Sequence, residues 1–111
     1  MFRRKENLSH EIRVKATGVT RRRHQRAIRK YARPGRSLRP RIESDSRVSL
    51  WIGGGCLRPW KSRRIGYVPK RTAPMVASLI RKKEPVEIQM EAVLPPSEEW
   101  DTLGLRIIIR Y

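Results

Sequence analysis

Apolar and polar positions alternate over much of the chain, and the places where that rhythm changes mark out its elements. Across residues 11–19, Ile12, Val14, Ala16 and Gly18 fall on one face and Arg13, Lys15 and Thr17 on the other. A period of two predicts a half-buried strand. Thr20 stands where it can cap the next element. Residues 21–32 switch to helical spacing, with Ala27, Ile28, Tyr31 and Ala32 on one face. Arg22, Arg26, Arg29 and Arg33 line another, flanked by Arg23 and Lys30, and Pro34-Gly35 stops the helix. Residues 37–43 predict a weak strand that Pro40 confines to an edge or a bulge. A polar turn over residues 43–46 leads into residues 47–52, where Val48, Leu50 and Ile52 alternate with Arg47, Ser49 and Trp51.

Residues 53–62 read as a glycine-led loop that carries Trp60 between Arg58 and Lys61. Three glycines alone do not make a phosphate-binding loop, because the Gly-Lys-Ser/Thr that must come after them is missing. Trp60 either stacks a base or covers the core, and the sequence leaves both open. The next run, Arg64-Ile65-Gly66-Tyr67-Val68-Pro69-Lys70-Arg71, organises the rest. It predicts a short strand in which Gly66 leaves room for a close backbone approach. Pro69, without an N–H, ends the ladder. Thr72 then serves as N-cap of a second helix, with Pro74 tolerated in its first turn. Met75, Val76, Leu79 and Ile80 form the expected core face, and Arg81-Lys82-Lys83 suits the helix C-terminus by dipole alone.

Lys70 and Arg71 therefore sit at a helix N-terminus, whose free N–H groups already carry positive charge. Two cations there are understandable as solvated surface charges, or as partners of an anion brought to that corner. Residues 86–93 alternate again, a proline-rich loop comes next, and residues 103–111 form a last β-branched strand. The sum is mainly β with two helices (α+β). About six short strands favour a small OB-like or SH3-like β-barrel over an open parallel sheet.

Charge decides the class of partner. The 111 residues carry 27 basic and 10 acidic side chains, a net +17, with a pI near 11.6. Such an excess points to a polyanion, nucleic acid above all. It is unevenly spread: residues 1–40 hold 14 basic and 2 acidic side chains, residues 41–83 hold 11 and 2, and residues 84–111 hold 2 and 6. No acidic residue lies between Arg13 and Arg41, whereas a merely solvated helix would mix glutamates among its arginines. Arginine outnumbers lysine 20 to 7, which suits bidentate phosphate contacts and stacking.

No apolar run approaches the roughly 20 residues of a membrane span, and no signal peptide is apparent at the N-terminus. With Cys56 as the single cysteine, an intracellular setting in cytoplasm or nucleoid is expected, with no disulfide, metal or other cofactor. Glu43 and Asp45 are the only carboxylates within the basic region from residue 12 to 83, and no His or Lys pairs with them at catalytic spacing, so no enzymatic activity is expected. Residues 1–9 are expected to form a flexible basic arm on a single domain of residues 10–111.

The order of these motifs resembles the HIRAN domain family, from about His10 to the end of the chain. Gly18-Val19-Thr20 is similar to the family's G-V-T at the end of its first strand, and Arg23-His24-Gln25 falls in the helix after it. Glu43 and Asp45 lie near its acidic turn. Arg47-Val48-Ser49-Leu50 resembles its A-V-x-V strand, and Ile65-Gly66-Tyr67-Val68-Pro69-Lys70 its I-G-Y-[IV]-P-[RK] run, with a helix over residues 73–80 behind it. The resemblance implies an OB-like nucleic-acid-binding module of the stand-alone bacterial or phage type. Family members joined to DNA-remodelling enzymes imply a possible partner enzyme of DNA repair or replication.

Some members capture the 3′ end of single-stranded DNA. The resemblance places Lys70 at the DNA end and Asp45 near the terminal 3′-OH. The acidic turn here is shorter than the family's N-P-x-D-x-N, and Arg21 and Arg22 replace the aromatics that often come after G-V-T. Backbone binding with little preference for a free end is therefore expected. The candidate nucleic-acid-binding residues are Arg21, Arg22, Arg23, Arg26, Asp45, Trp60, Tyr67, Lys70 and Arg71. Single-stranded DNA or DNA ends are the expected ligand, with RNA possible. A structural RNA-binding protein of a ribonucleoprotein particle is the alternative, its arm ordering as RNA wraps it.

Overall fold

The computed structural model describes residues 10–44, 47–53, 62–96 and 102–111. The basic arm of residues 1–9 lies outside these ranges. Six strands and two helices succeed one another as β1 (Glu11–Lys15), α1 (Arg22–Tyr31), β2 (Ser37–Ser44), β3 (Arg47–Ile52), β4 (Arg63–Tyr67), α2 (Ala73–Arg81), β5 (Glu87–Leu94) and β6 (Gly104–Arg110). The strands form one antiparallel sheet in the order β1-β6-β5-β2-β3-β4.

The core obeys the alternation. Val48, Leu50 and Ile52 of β3, Ile65 of β4, Ile88 and Met90 of β5, and Leu105, Ile107 and Ile109 of β6 are all buried, joined by Ile28 of α1 and Val76 of α2. Burying each such side chain is worth about 1.5–3 kcal/mol. Ser49 is an exception to the alternation. It is fully buried, donates its hydroxyl to the Arg41 carbonyl (3.2 Å) and accepts the Trp51 indole N–H (2.8 Å).

Pro40 is tolerated because β2 changes partners before reaching it. Ser37 and Leu38 pair with β5, and residues 39–44 pair with β3, so Pro40 has a strand on one side only. Register shifts interrupt β2/β3 between Ile42 and Ser44, β3/β4 between Leu50 and Trp51, and β5/β6 between Met90 and Ala92. Such bulges bend strands and increase twist. The sheet curls until its edges touch at one place: Thr17 gives its N–H to the Tyr67 carbonyl (2.9 Å) and Tyr67 gives its own to Thr17 (2.8 Å). No longer ladder joins β1 to β4 among the described residues, so the expected closed barrel is here a curled sheet with one bridge between its edges.

The helices depart from expectation in instructive ways. Arg21, not Thr20, occupies the N-cap of α1, and no side chain caps that helix. Its buried face is His24, Gln25, Ala27 and Ile28, while Tyr31 is only half-buried. His24, set among the arginines of this helix, is 2% exposed. Thr72 does take the N-cap position of α2, but its hydroxyl makes no capping bond. That helix meets the core through small residues, Ala73, Val76 and Ala77, with Met75, Leu79 and Ile80 half-buried.

Candidate nucleic-acid interface

Tyr67 ends β4 directly beneath the bridge. Two glycines seat it. A Cβ on Gly66 would lie 2.9 Å from both the Thr17 oxygen and Val19 Cγ1, so only glycine admits the close approach of the two sheet edges. Gly18, at φ +69°, lies against the ring itself, where a Cβ would come within 2.8 Å of Tyr67 Cδ1. The ring is buried, and three guanidiniums gather over it: Arg47 at 4.2 Å from the centroid, Arg64 at 5.5 Å and Arg21 at 5.8 Å. Cations favour the negative face of an aromatic ring, which offsets part of their mutual repulsion.

Arg21, Arg47 and Lys70 line a cleft of about 610 Å³ whose floor is Tyr67, with Ser44, Thr17, Gly18 and Val68 completing the wall. Among the described residues, no carboxylate lines it. Register explains Arg47: Ser49 pairs with Tyr67, so Arg47, two residues along on the same face, is its diagonal neighbour. Lys70 is held by the corner behind it. Val68 donates to the Val48 carbonyl (2.9 Å), and Thr72 and Ala73 both donate to the Pro69 carbonyl (2.9 Å each). Those two N–H groups are therefore not open to an anion, and Pro74 has none to give. Any anion at this corner is held by side chains and not by the helix N-terminus.

A second set of contacts passes behind the ring. The His24 ring donates Nδ1–H to the Gly18 carbonyl (2.6 Å) and accepts Arg64 Nε–H on Nε2 (3.2 Å). A carbonyl only accepts and a guanidinium only donates, so the imidazole is the neutral Nδ1–H tautomer. Burial holds its pKa below the ordinary 6.5, and the charges of Arg64 and Arg21 add to that, against an opposing contribution from the Gly18 bond. Arg64 also reaches Glu43 Oε2 at 3.4 Å. The imidazole meets the Tyr67 ring edge-on at 6.0 Å.

Beyond His24 and Arg64 lies a second cleft, of about 600 Å³, between α1 and the β3–β4 hairpin. Arg23, Arg26 and Lys30 line it from α1 and Arg63 and Arg64 from β4, with the Tyr31 and Trp51 rings among them. Around the helix, Arg22, Arg26 and Arg29 border a shallower third depression with Thr20 and Thr102.

Arginines elsewhere behave differently. On β1 and β6, Arg13 bonds Glu91 (2.7 Å) and Glu11 (3.0 Å), and Arg110 bonds Glu11 (2.9 Å). Among the described residues, no carboxylate pairs with Arg21, Arg22, Arg23, Arg26 or Arg29. Among the described residues, carboxylates thus neutralise arginines of β1 and β6, and none does so along α1.

Of the residues the sequence singled out, Arg21, Tyr67 and Lys70 share the first cleft. Arg23 and Arg26 line the second, and Arg22 and Arg26 the third. Arg71 is exposed and lines none of the three. Asp45 and Trp60 lie outside the described residues. Sequence reasoning missed Arg47, Arg64, His24 and Trp51. The alternation put Arg47 and Trp51 on one outward face, but only the β3/β4 register shows what they face. Among the described residues, no helix is long and apolar enough to cross a membrane, and no group of three or more His, Cys, Asp or Glu side chains is placed to hold a metal. Comparison with protein-family models, curated proteins and solved structures finds no match.

Proposed function

We propose that this chain is a HIRAN-like, non-catalytic module of the cell interior that binds single-stranded nucleic acid, most of all single-stranded DNA or DNA ends. The observation that carries the reading is the Tyr67 cleft. Arg21, Arg47 and Lys70 line one cleft with the buried Tyr67 ring, and no described carboxylate is among them. Next to it, α1 presents arginines without ion-pair partners among the described residues. Cations held apart from carboxylates raise the local potential and draw a polyanion, and the buried ring beneath them holds the guanidiniums in place. In this reading the curled sheet is an OB-like barrel, with the Thr17–Tyr67 bridge at its seam, and the cleft opens on that seam.

Phosphates are bound by Arg21, Arg47 and Lys70, with Arg22, Arg23 and Arg26 continuing the positive track and Arg71 at its margin. Affinity then falls steeply with salt, because bound cations displace the counterions of the strand. The test is a titration of single-stranded DNA, duplex DNA and RNA at several salt concentrations. Single-stranded DNA is expected to bind tightest, with nearly equal affinity for free and blocked 3′ ends. Preference for structured RNA would favour a structural protein of a ribonucleoprotein particle instead. Weak, salt-insensitive binding of all three would end the proposal.

A further inference from the structure

We infer that the cleft between α1 and the β3–β4 hairpin is a second nucleotide subsite, in which a base stacks on Trp51 while its phosphate meets Arg23 and Arg26. This subsite presupposes the function proposed for the Tyr67 cleft and gives the strand its course beyond that cleft. The two clefts abut, since Arg64 lines the second and lies over the Tyr67 ring of the first at 5.5 Å, and His24 lines the second and meets that ring edge-on. A strand leaving the first cleft along this side enters the second without crossing a described carboxylate other than Glu43, which is engaged by Arg64.

The chemistry of the second cleft selects a phosphorylated aromatic over a simple anion. A phosphate-only site needs cations and has no use for rings. Here five cationic side chains share about 600 Å³ with two aromatic rings. Trp51 Nε1–H is already bonded to Ser49 Oγ (2.8 Å), so the indole edge is satisfied and its ring surface is what it offers a ligand. Arg41 lies over that ring at 5.3 Å, and Lys30 and Arg36 over Tyr31 at 5.4 and 6.0 Å. Both rings are half-buried, the state expected of a platform that packs on one side and stacks on the other.

The test uses the full chain with a ten-residue oligothymidylate. In a Trp60→Phe/Trp100→Phe variant, Trp51 is the sole tryptophan, and its fluorescence is expected to quench on adding the oligonucleotide. Trp51→Leu is expected to weaken binding roughly 5- to 150-fold, the loss of one stacked base. Arg23→Ser/Arg26→Ser changes only exposed positions and keeps the test open should Trp51→Leu not fold. It is expected to flatten the salt dependence by one to two phosphate contacts, about 0.7 in slope for each.

Binding without quenching, or with affinity unchanged in the arginine variant, would show that the strand avoids this cleft. Quenching by oligoglutamate and not by oligothymidylate would assign the cleft to an acidic peptide and overturn the inference. No oligonucleotide binding by the unmodified chain would remove the underlying function as well, an outcome distinct from the loss of the subsite alone.

Discussion

Arg64 donates its Nε–H to Nε2 of His24 at 3.2 Å, and the same imidazole holds the Gly18 carbonyl through its other nitrogen at 2.6 Å. One buried ring therefore fixes both an arginine over Tyr67 and the positive-φ glycine beneath it. The Gly18 bond needs a proton on Nδ1 and the Arg64 bond needs Nε2 without one, so the pair together selects the neutral Nδ1–H form. A proton on Nε2 would abolish the acceptor and set an imidazolium against a guanidinium.

Stability is accordingly expected to fall as the pH drops from 7 to 5. Burial, with Arg64 and Arg21 close by, depresses the folded pKa of His24 below 6.5. The unfolded chain then takes up the proton first, so acidification below about 6.5 favours unfolding until the folded pKa is passed. Glu43, near Arg64, and the Gly18 carbonyl act in the opposite sense but are smaller than burial. Glu11 titrates in a lower window. Its hydrogen bond to Arg110 keeps its carboxyl below 4.5, so its contribution is lost only in more acidic solution. Denaturant midpoints at pH 7, 6 and 5 check this: the wild-type midpoint should decline, and that of His24→Gln should be much flatter. Parallel curves would disprove the role of His24.

Gly66→Ala should cost about 1–3 kcal/mol, the range for forcing extra atoms into a packed site. The added methyl meets the Thr17 carbonyl at 2.9 Å, so relief requires the two sheet edges to part. Because that bridge also seats Tyr67, oligonucleotide affinity should drop along with the melting temperature. Wild-type stability in the variant would mean that the edges are not held together there.

Strand order of appearance, both helices and the glycine at residue 66 could be read from the chain because each depends on local periodicity or on one residue's sterics. The site could be read only in part. Arg21, Tyr67 and Lys70 stand in runs that draw notice by charge or motif, and the fold brings them to one cleft. Arg47 and Arg64 look like ordinary outward positions of alternating strands. Their place over Tyr67 is set by the β3/β4 register and by a bulge at Leu50/Trp51, neither of which a single strand encodes alone. His24 and Gln25 fall among arginines in a helix of very polar composition, and a hydrophobic pattern cannot mark buried polar residues whose distant partners are the Arg64 side chain and the Leu103 backbone.

Replacing Arg22, Arg23 and Arg26 together with alanine should separate binding from folding. All three are exposed and none has an ion pair among the described residues. Removing them relieves like-charge repulsion at i,i+3 and i,i+4 spacing, worth about 0.2–0.5 kcal/mol per pair. The melting temperature should therefore hold or rise slightly. Affinity for single-stranded DNA should fall, and the logarithmic salt slope should become shallower by about 2 if all three meet phosphates. Affinity that is unchanged at moderate salt would show that this helix face is only solvated.

Gln25 offers the sharpest test of the scaffold behind the interface. Its amide nitrogen donates to the Val19 carbonyl (2.7 Å) and to the Leu103 carbonyl (2.8 Å), while its oxygen accepts the Leu103 N–H (2.8 Å). One side chain thus ties the segment after β1 to the segment before β6 and satisfies three backbone groups that neither strand ladder reaches. Gln25→Leu keeps most of the volume and the helical preference but leaves all three unpaired. An unsatisfied buried group costs about 1–3 kcal/mol, and with Leu103 only half-buried water recovers part of that. A loss of about 2–4 kcal/mol in chemical denaturation is expected, with faster amide exchange at Leu103. Gln25→Glu separates packing from hydrogen bonding: its carboxylate can still accept the Leu103 N–H but cannot donate to either carbonyl, so it should be destabilised as well. If Gln25→Leu were as stable as the wild type, the two segments would be held by packing alone, and the position of α1 beside the Tyr67 cleft would need another cause.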